Sequence, residues 1–308
     1  MKIVSVINYK GGVGKTSLTA NLGAELAWRG KKVLLIDLDP QASLTFSFIR
    51  PDEWSANYER GGTIKTWFDA HDTQRPMRLE DLIHSPVKIS DRLDGRGNLD
   101  IIYSHLGLIN VDLELATKLG GANLQQAKRN FINVHRRLLD GLAELDRDSY
   151  DVVLIDCPPN FNIVTKTALI ASDYVLVPTR PDELSTLGID YLIRSIRQLV
   201  GDYNDYIAVE TDDEYERIEP AIVGIVFTMV QEYDSGAISA QKNYIARVTR
   251  DAGLPVFRNY IKRNDTLFAG APEYGVPVVL GAHNNQTYQS VVDGLEAVTE
   301  EFVRMIRI

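Results

Sequence analysis

The 308-residue chain contains a single cysteine, Cys157. One thiol excludes an intramolecular disulfide and any metal site built from several thiolates, and it points to a reducing, cytoplasmic compartment. Long apolar runs are missing too. The longest strand-like stretch, 221–230, is interrupted by Gly224 and Thr228, whereas a membrane helix needs roughly 18 apolar residues in succession. The apolar start, 1–7, ends at Asn8 and Lys10, too short for a signal peptide. Hydrophobic residues at 44% and charged residues at 24% exclude a disordered chain. Basic charge is in deficit, with 33 Lys+Arg against 42 Asp+Glu and a formal charge of -9. Taken over the whole chain, that balance argues against nucleic acid as a partner.

What is present is alternation. Runs rich in Val, Ile and Leu at 2–8, 32–38, 99–104, 150–156, 174–179, 221–230 and 255–261 read as strands, with a short one at 277–280. Several are apolar at successive positions, as in Val152-Val153-Leu154-Ile155, which suits central parallel strands covered on both faces. Helical periodicity marks 15–29, 128–145, 163–171, 186–200, 237–252 and 287–306. The expected fold is α/β: one domain over 1–308, with a doubly wound, mostly parallel sheet and helices on both faces. Two polar stretches read as insertions in the form of solvated loops. One is 50–98, with short helices near 64–68 and 79–83. The other is 202–219, which holds seven Asp/Glu against one Arg over 205–219.

The strongest local signal is Lys10-Gly11-Gly12-Val13-Gly14-Lys15-Thr16-Ser17, between an apolar strand and a helix. Glycines let the backbone wrap a phosphate, and consecutive N–H groups point into the cradle. The helix N-terminus adds positive potential. Lys15 brings a point charge to the β/γ-phosphates, and the Thr16 hydroxyl can ligate Mg2+. A second strand ends in Asp37-Leu38-Asp39-Pro40-Gln41. Its two carboxylates share one face, because the period of an extended chain is two. A third ends in Asp156, an arrangement in which the carboxylate holds Mg2+ directly or through water. Cys157 follows it and reads as a buried thiol.

The loop departs from the standard G-x-x-x-x-G-K-[ST] pattern: Tyr9 stands where its first glycine would fall, and a second lysine, Lys10, opens it. In this it resembles the deviant Walker-A ATPases of the ParA/Soj/MinD group, whose signature is K-G-G-x-G-K-[ST]. The resemblance extends to about residue 281 and is weakest over 50–98 and 202–219. It implies ATP and Mg2+ as cofactors, and that Lys10 reaches a partner subunit's nucleotide in a homodimer. It also implies that Asp39 positions the attacking water while Asp37 lies near the Mg2+ shell. The segments 224–229 and 261–277 are similar to the family's adenine-pocket strand and its I-P-R-N…E-A-P…G-x-P run, which puts Met229 and Lys262 beside the base. Lys262 stands where the family usually has Pro, and Gly270 where it often has Glu.

Two outputs are open within this family. A MinD-like protein cycles on a membrane through a C-terminal amphipathic segment. Here Val291, Leu295, Val298, Phe302 and Met305 form one stripe, but Asp293, Glu296, Glu300 and Glu301 occupy the other face, which anionic lipid would repel. That helix is expected to pack on the sheet. A ParA-like protein binds duplex DNA without sequence preference when dimeric and answers to a ParB-like stimulatory partner. The window 242–263 holds Lys242, Arg247, Arg250, Arg258, Lys262 and Arg263 against Asp251 alone, a patch suited to phosphates. The acidic excess is concentrated in 205–219, so whole-chain charge is too coarse a guide. The expectation is a ParA-like cytoplasmic ATPase, nucleoid-associated when ATP-bound. Slow, partner-stimulated hydrolysis would release it from DNA.

Overall fold

The computed structural model describes residues 1–71, 73, 77–209, 215–233, 236–282 and 285–308. Part of the acidic stretch, 210–214, lies outside them. The main strands are β1 (Lys2–Val6), β2 (Lys32–Asp37), β3 (Asn98–Ile102), β4 (Val152–Asp156), β5 (Tyr174–Thr179) and β6 (Ala221–Phe227). A small hairpin adds β7 (Glu232–Tyr233) and β8 (Gly236–Ala237). The helices are α1 (Lys15–Trp28), α2 (Pro51–Asn57), α3 (Ile64–Ala70), α4 (Val87–Leu93), α5 (Leu108–Thr117) and α6 (Leu124–His135). They continue with α7 (Arg137–Ala143), α8 (Ile163–Ala171), α9 (Glu183–Ile207), α10 (Ser239–Asp251), α11 (Asp265–Tyr274) and α12 (Gln286–Ile306).

The six main strands are all parallel, in the order β3-β2-β4-β1-β5-β6. Successive strand residues serve opposite faces. Leu34, Ile36, Val153 and Ile155 pack under α5 to α9, while Val33, Leu35, Val152 and Leu154 pack under α1 and α12. Both faces are thus covered, which explains why these strands read as continuous apolar runs. In register, Asp156 sits opposite both Asp37 and Val6. The carboxyl ends of β2, β4 and β1 therefore open side by side, where ligands bind in sheets of this kind.

Four sequence expectations change. Residues 50–98 are not a solvated loop: Trp54, Ile89 and Leu93 join one core layer, and Trp67, Phe68, Leu79 and Leu82 the other. The start of 202–219 completes α9 and buries Tyr203 and Ile207. The segment 255–261 runs beside β6, with Phe257 N–H donating to Ile225 O and Ile261 N–H to Phe227 O, both at 2.9 Å. It forms no continuous strand, because the N–H groups of Arg258 and Asn259 donate instead to the Glu301 carboxylate of α12, at 2.9 and 3.2 Å. Finally, 277–280 forms a 3-10 turn, Val278–Leu280, whose Val278 carbonyl accepts from the Tyr288 hydroxyl at 2.7 Å.

Candidate functional site

The loop between β1 and α1 is held from behind. The Asn8 amide donates to Pro178 O at 2.8 Å, and its oxygen accepts from the Lys10 N–H at 2.9 Å. The Thr228 hydroxyl, at the end of β6, lies 2.7 Å from Val13 O and 3.2 Å from Thr179 O. Gly12 and Gly14 have φ of 68° and 75°, which side-chain-bearing residues rarely adopt. The first turn of α1 carries no side-chain cap and no acidic residue. Its N–H groups and positive end are therefore open to an anion. A cavity of about 440 Å³ lies in front of them, lined among others by Lys15, Thr16, Asp39, Met229, Phe268 and Pro272. That is room for a nucleotide.

The charged groups of the cradle are buried and close. Lys15 is 7% exposed and its ammonium donates to Lys10 O at 3.3 Å. Burial lowers its proton affinity, against the opposing charges of Asp156 and Asp39. The Thr16 hydroxyl donates to Asp156 at 2.7 Å. Burial pushes the Asp156 carboxyl up to about 7, opposed by the Thr16 bond and the Lys15 charge. An acid raised in this way gains from a cation at its side. The pairing of Thr16 with Asp156 thus fits a hard divalent ion that takes most of its oxygens from phosphates and water.

Asp37 sits opposite Asp156 in the register of β2 and β4. It is fully buried and does not line the cavity. One of its oxygens accepts from the Thr45 N–H and hydroxyl, each at 2.8 Å, and the other from the Asp39 N–H at 3.1 Å. Burial, then the neighbouring Asp156 charge, raise its carboxyl well above the ordinary range. Its geometry is that of a brace for the loop that carries Asp39. Asp39 itself faces the cavity. Its carboxylate accepts from the Gln41 N–H at 2.9 Å, and its carbonyl from the Ser104 hydroxyl at 2.7 Å.

Lys10 points away from the cradle of its own chain. Its ammonium pairs with Asp182 at 2.8 Å, and Arg180 lies 3.4 Å from the same carboxylate. Met229 has φ of 53°, a strained value for a non-glycine residue, and sits against Gly14 at the cavity wall. Lys262 lines a small adjoining hollow with Met229, but its ammonium is paired with Glu232 at 2.8 Å and with Ser290. It is therefore drawn away from the basic surface that its charge suggested.

The remaining basic residues lie outward. Lys242, Arg247 and Arg250 are exposed on α10, while Val248 turns inward. Arg258 is exposed, and Arg263 is exposed but paired with Asp265 at 2.7 Å. Arg250 is paired with Asp251 at 2.6 Å. The sequence reading missed two neighbours. Arg194 and Arg197 of α9 are exposed and share a shallow hollow with Ala252 and Leu254, at the end of α10. The signal was their spacing of three on a helix face, hidden because they lie well upstream of the basic window 242–263. Asn8, Thr45, Ser104, Asp182 and Thr228 were missed as well; each acts through a partner that only the fold brings near.

Comparison with known proteins agrees with this geometry. The AAA domain family matches residues 1–209. The chain is 30% identical over 286 residues to the chromosome partitioning protein ParA of Caulobacter vibrioides, covering 91% of this chain and 87% of that one. It is 27% identical over 279 residues to the sporulation initiation inhibitor protein Soj of Bacillus subtilis, covering 91% and 90%. Among solved structures, the ATP complex of a Cyanothece McdA variant superposes with a TM-score of 0.70 at 19% identity, covering 100% of this chain and 97% of that one.

Proposed function

We infer the function from one premise: the chain belongs to the ParA/Soj family of deviant Walker-A ATPases. ATP and Mg2+ bind in the cradle and draw two copies into a nucleotide-sandwich homodimer. The dimer grips duplex DNA through phosphates, without sequence preference, and hydrolysis stimulated by a ParB-like partner releases it. The relatives are named for chromosome partitioning and sporulation control, which makes DNA the first cargo to test. The observation that carries this reading is that Lys15, Thr16 and Asp39 line one cavity, with the buried Asp156 bonded to Thr16.

In this reading Lys15 and the α1 N-terminus hold the β- and γ-phosphates. Thr16 and Asp156 hold Mg2+, which neutralises charge on the phosphates. Asp39 orients water for in-line attack, and Asp37 fixes Asp39 through its N–H. Lys10 reaches the partner's phosphates. Met229 and Phe268 wall the base. Arg194, Arg197, Lys242, Arg247 and Arg250 form the DNA surface, with Arg258 and Arg263 beyond. The two exposed ion pairs there are weak enough for a DNA phosphate to displace.

The alternative, a membrane-cycling positioning ATPase, needs an apolar helix face free for lipid. Val291, Leu295, Val298 and Phe302 of α12 are instead buried in the core layer under α1 and α12. The test of the catalytic assignment is phosphate release. Asp39→Ala is expected to lower kcat about 100-fold or more while nucleotide still binds, and Lys15→Ala to weaken nucleotide binding itself. Parental turnover in either variant contradicts the assignment.

A further inference from the structure

We propose that Asp182 is a positioning residue for Lys10, a latch that holds this lysine within its own chain and so sets how readily two copies associate on nucleotide. The proposal rests on the sandwich-dimer reading, in which Lys10 must reach the partner.

The geometry has three parts. First, the base of Lys10 is fixed. Its N–H donates to Asn8 Oδ1, and Asn8 is pinned to Pro178 at the end of β5. The chain leaving β5 carries Arg180 and then Asp182, so the fold itself delivers Asp182 to the lysine. Second, the ion pair is tight but open to solvent: Nζ lies 2.8 Å from Asp182, and the two side chains are 32% and 34% exposed. Water can replace either partner, and the four-carbon stem of lysine lets the ammonium swing. Third, the second Asp182 oxygen already has Arg180 Nε at 3.4 Å. When Lys10 departs, Arg180 keeps the carboxylate compensated. Asp182 therefore competes with the partner's phosphates for Lys10, and Arg180 competes with Lys10 for Asp182.

A half-exposed pair of this kind is worth up to about fivefold in an equilibrium constant. A two-fold dimer must open two, so the latch is worth up to about 25-fold in dimer dissociation. The two competitors give variants of opposite sign. Asp182→Asn frees Lys10, and Asn at the residue before α9 is as good a helix cap as Asp. Arg180→Gln leaves Asp182 more fully to Lys10.

The experiment is sedimentation velocity over a protein concentration series with a non-hydrolysable ATP analogue and Mg2+. Asp182→Asn is expected to dimerise at concentrations lower than wild type, by up to about 25-fold. Arg180→Gln is expected to need higher concentrations, and Asp182→Glu to return towards wild type. Raising salt should narrow the gap between wild type and Asp182→Asn. A purely structural role would move the Asn and Gln variants in the same direction. A dimeric wild type with Asp182→Asn no tighter, or with both variants shifted alike, overturns the latch alone. If Asp182→Asn fails to fold, Arg180→Gln decides: unchanged or tighter association overturns the proposal. Wild type and variants monomeric at every concentration overturn the dimer reading and the latch together.

Discussion

Buried titratable side chains show what single residues contribute. His135, the last residue of α6, is fully buried. Its Nδ1 lies 2.8 Å from Phe131 O, which assigns the proton to that nitrogen and leaves Nε2 a buried atom with no partner. Burial pushes the ring down to about 4, against the Phe131 bond and with the Lys166 charge adding to it. The unfolded chain takes up this proton near 6.5 and the native chain does not. Stability therefore falls as pH drops below about 6.5 and continues to fall to about 4. Urea unfolding should show a loss of about 2 kcal/mol from this group between pH 7 and pH 5, and His135→Leu should remove that part of the slope. An unchanged slope in the variant contradicts the assignment. At this scale the phosphate loop was fully legible in sequence, because its glycines, Lys15 and Thr16 are contiguous. The bonds that fix Asp37 and Lys262 were not legible: a carboxylate at a strand end can serve a cavity or its own loop, and only the fold brings Thr45 to Asp37 and Glu232 to Lys262. The bond from Lys10 to Asp182 spans 172 residues of sequence, and no local pattern announces it.

Elements were legible where one period dominates. β5 and α8 have the bounds that periodicity predicts, since all but Tyr174 in the one and Lys166 in the other are buried. The segment 255–261 was not, because its strand pattern competes with a carboxylate from α12. Glu301→Ala should free the Arg258 and Asn259 N–H groups and destabilise the fold by about 1–3 kcal/mol. The helix 128–145 divides at Arg136, whose guanidinium is fixed by Tyr203 at 3.1 Å and Asp140 at 2.8 Å. The apolar stripe of α12 is structural in this account. Phe302, fully buried, should cost about 3–5 kcal/mol when truncated to Ala, measured by denaturant unfolding. Wild-type protein should not pellet with anionic liposomes under any nucleotide. A stable Phe302→Ala chain whose wild type binds liposomes would transfer that stripe from core to membrane.

At the scale of the whole molecule, net charge misleads. The -9 total describes no surface. The exposed Arg194 and Arg197 of α9 share a hollow with Ala252 and Leu254, which follow the basic helix α10, and the acidic residues concentrate around 205–219. The charge of 242–263 is legible in the sequence, whereas Arg194 and Arg197 are brought near it only by the packing of α9 against α10. The central claim is that ATP binding turns this surface into a DNA grip. Pelleting with beads that carry an arbitrary duplex, in Mg2+ with ATP, with ADP or without nucleotide, tests it most directly. The account predicts retention with ATP only. Retention should fall by roughly a thousandfold in affinity from 50 to 200 mM salt if six or more phosphates are contacted, and Arg197→Glu with Arg247→Glu should abolish it. Retention indifferent to nucleotide, or unchanged by the double charge reversal, would contradict the account.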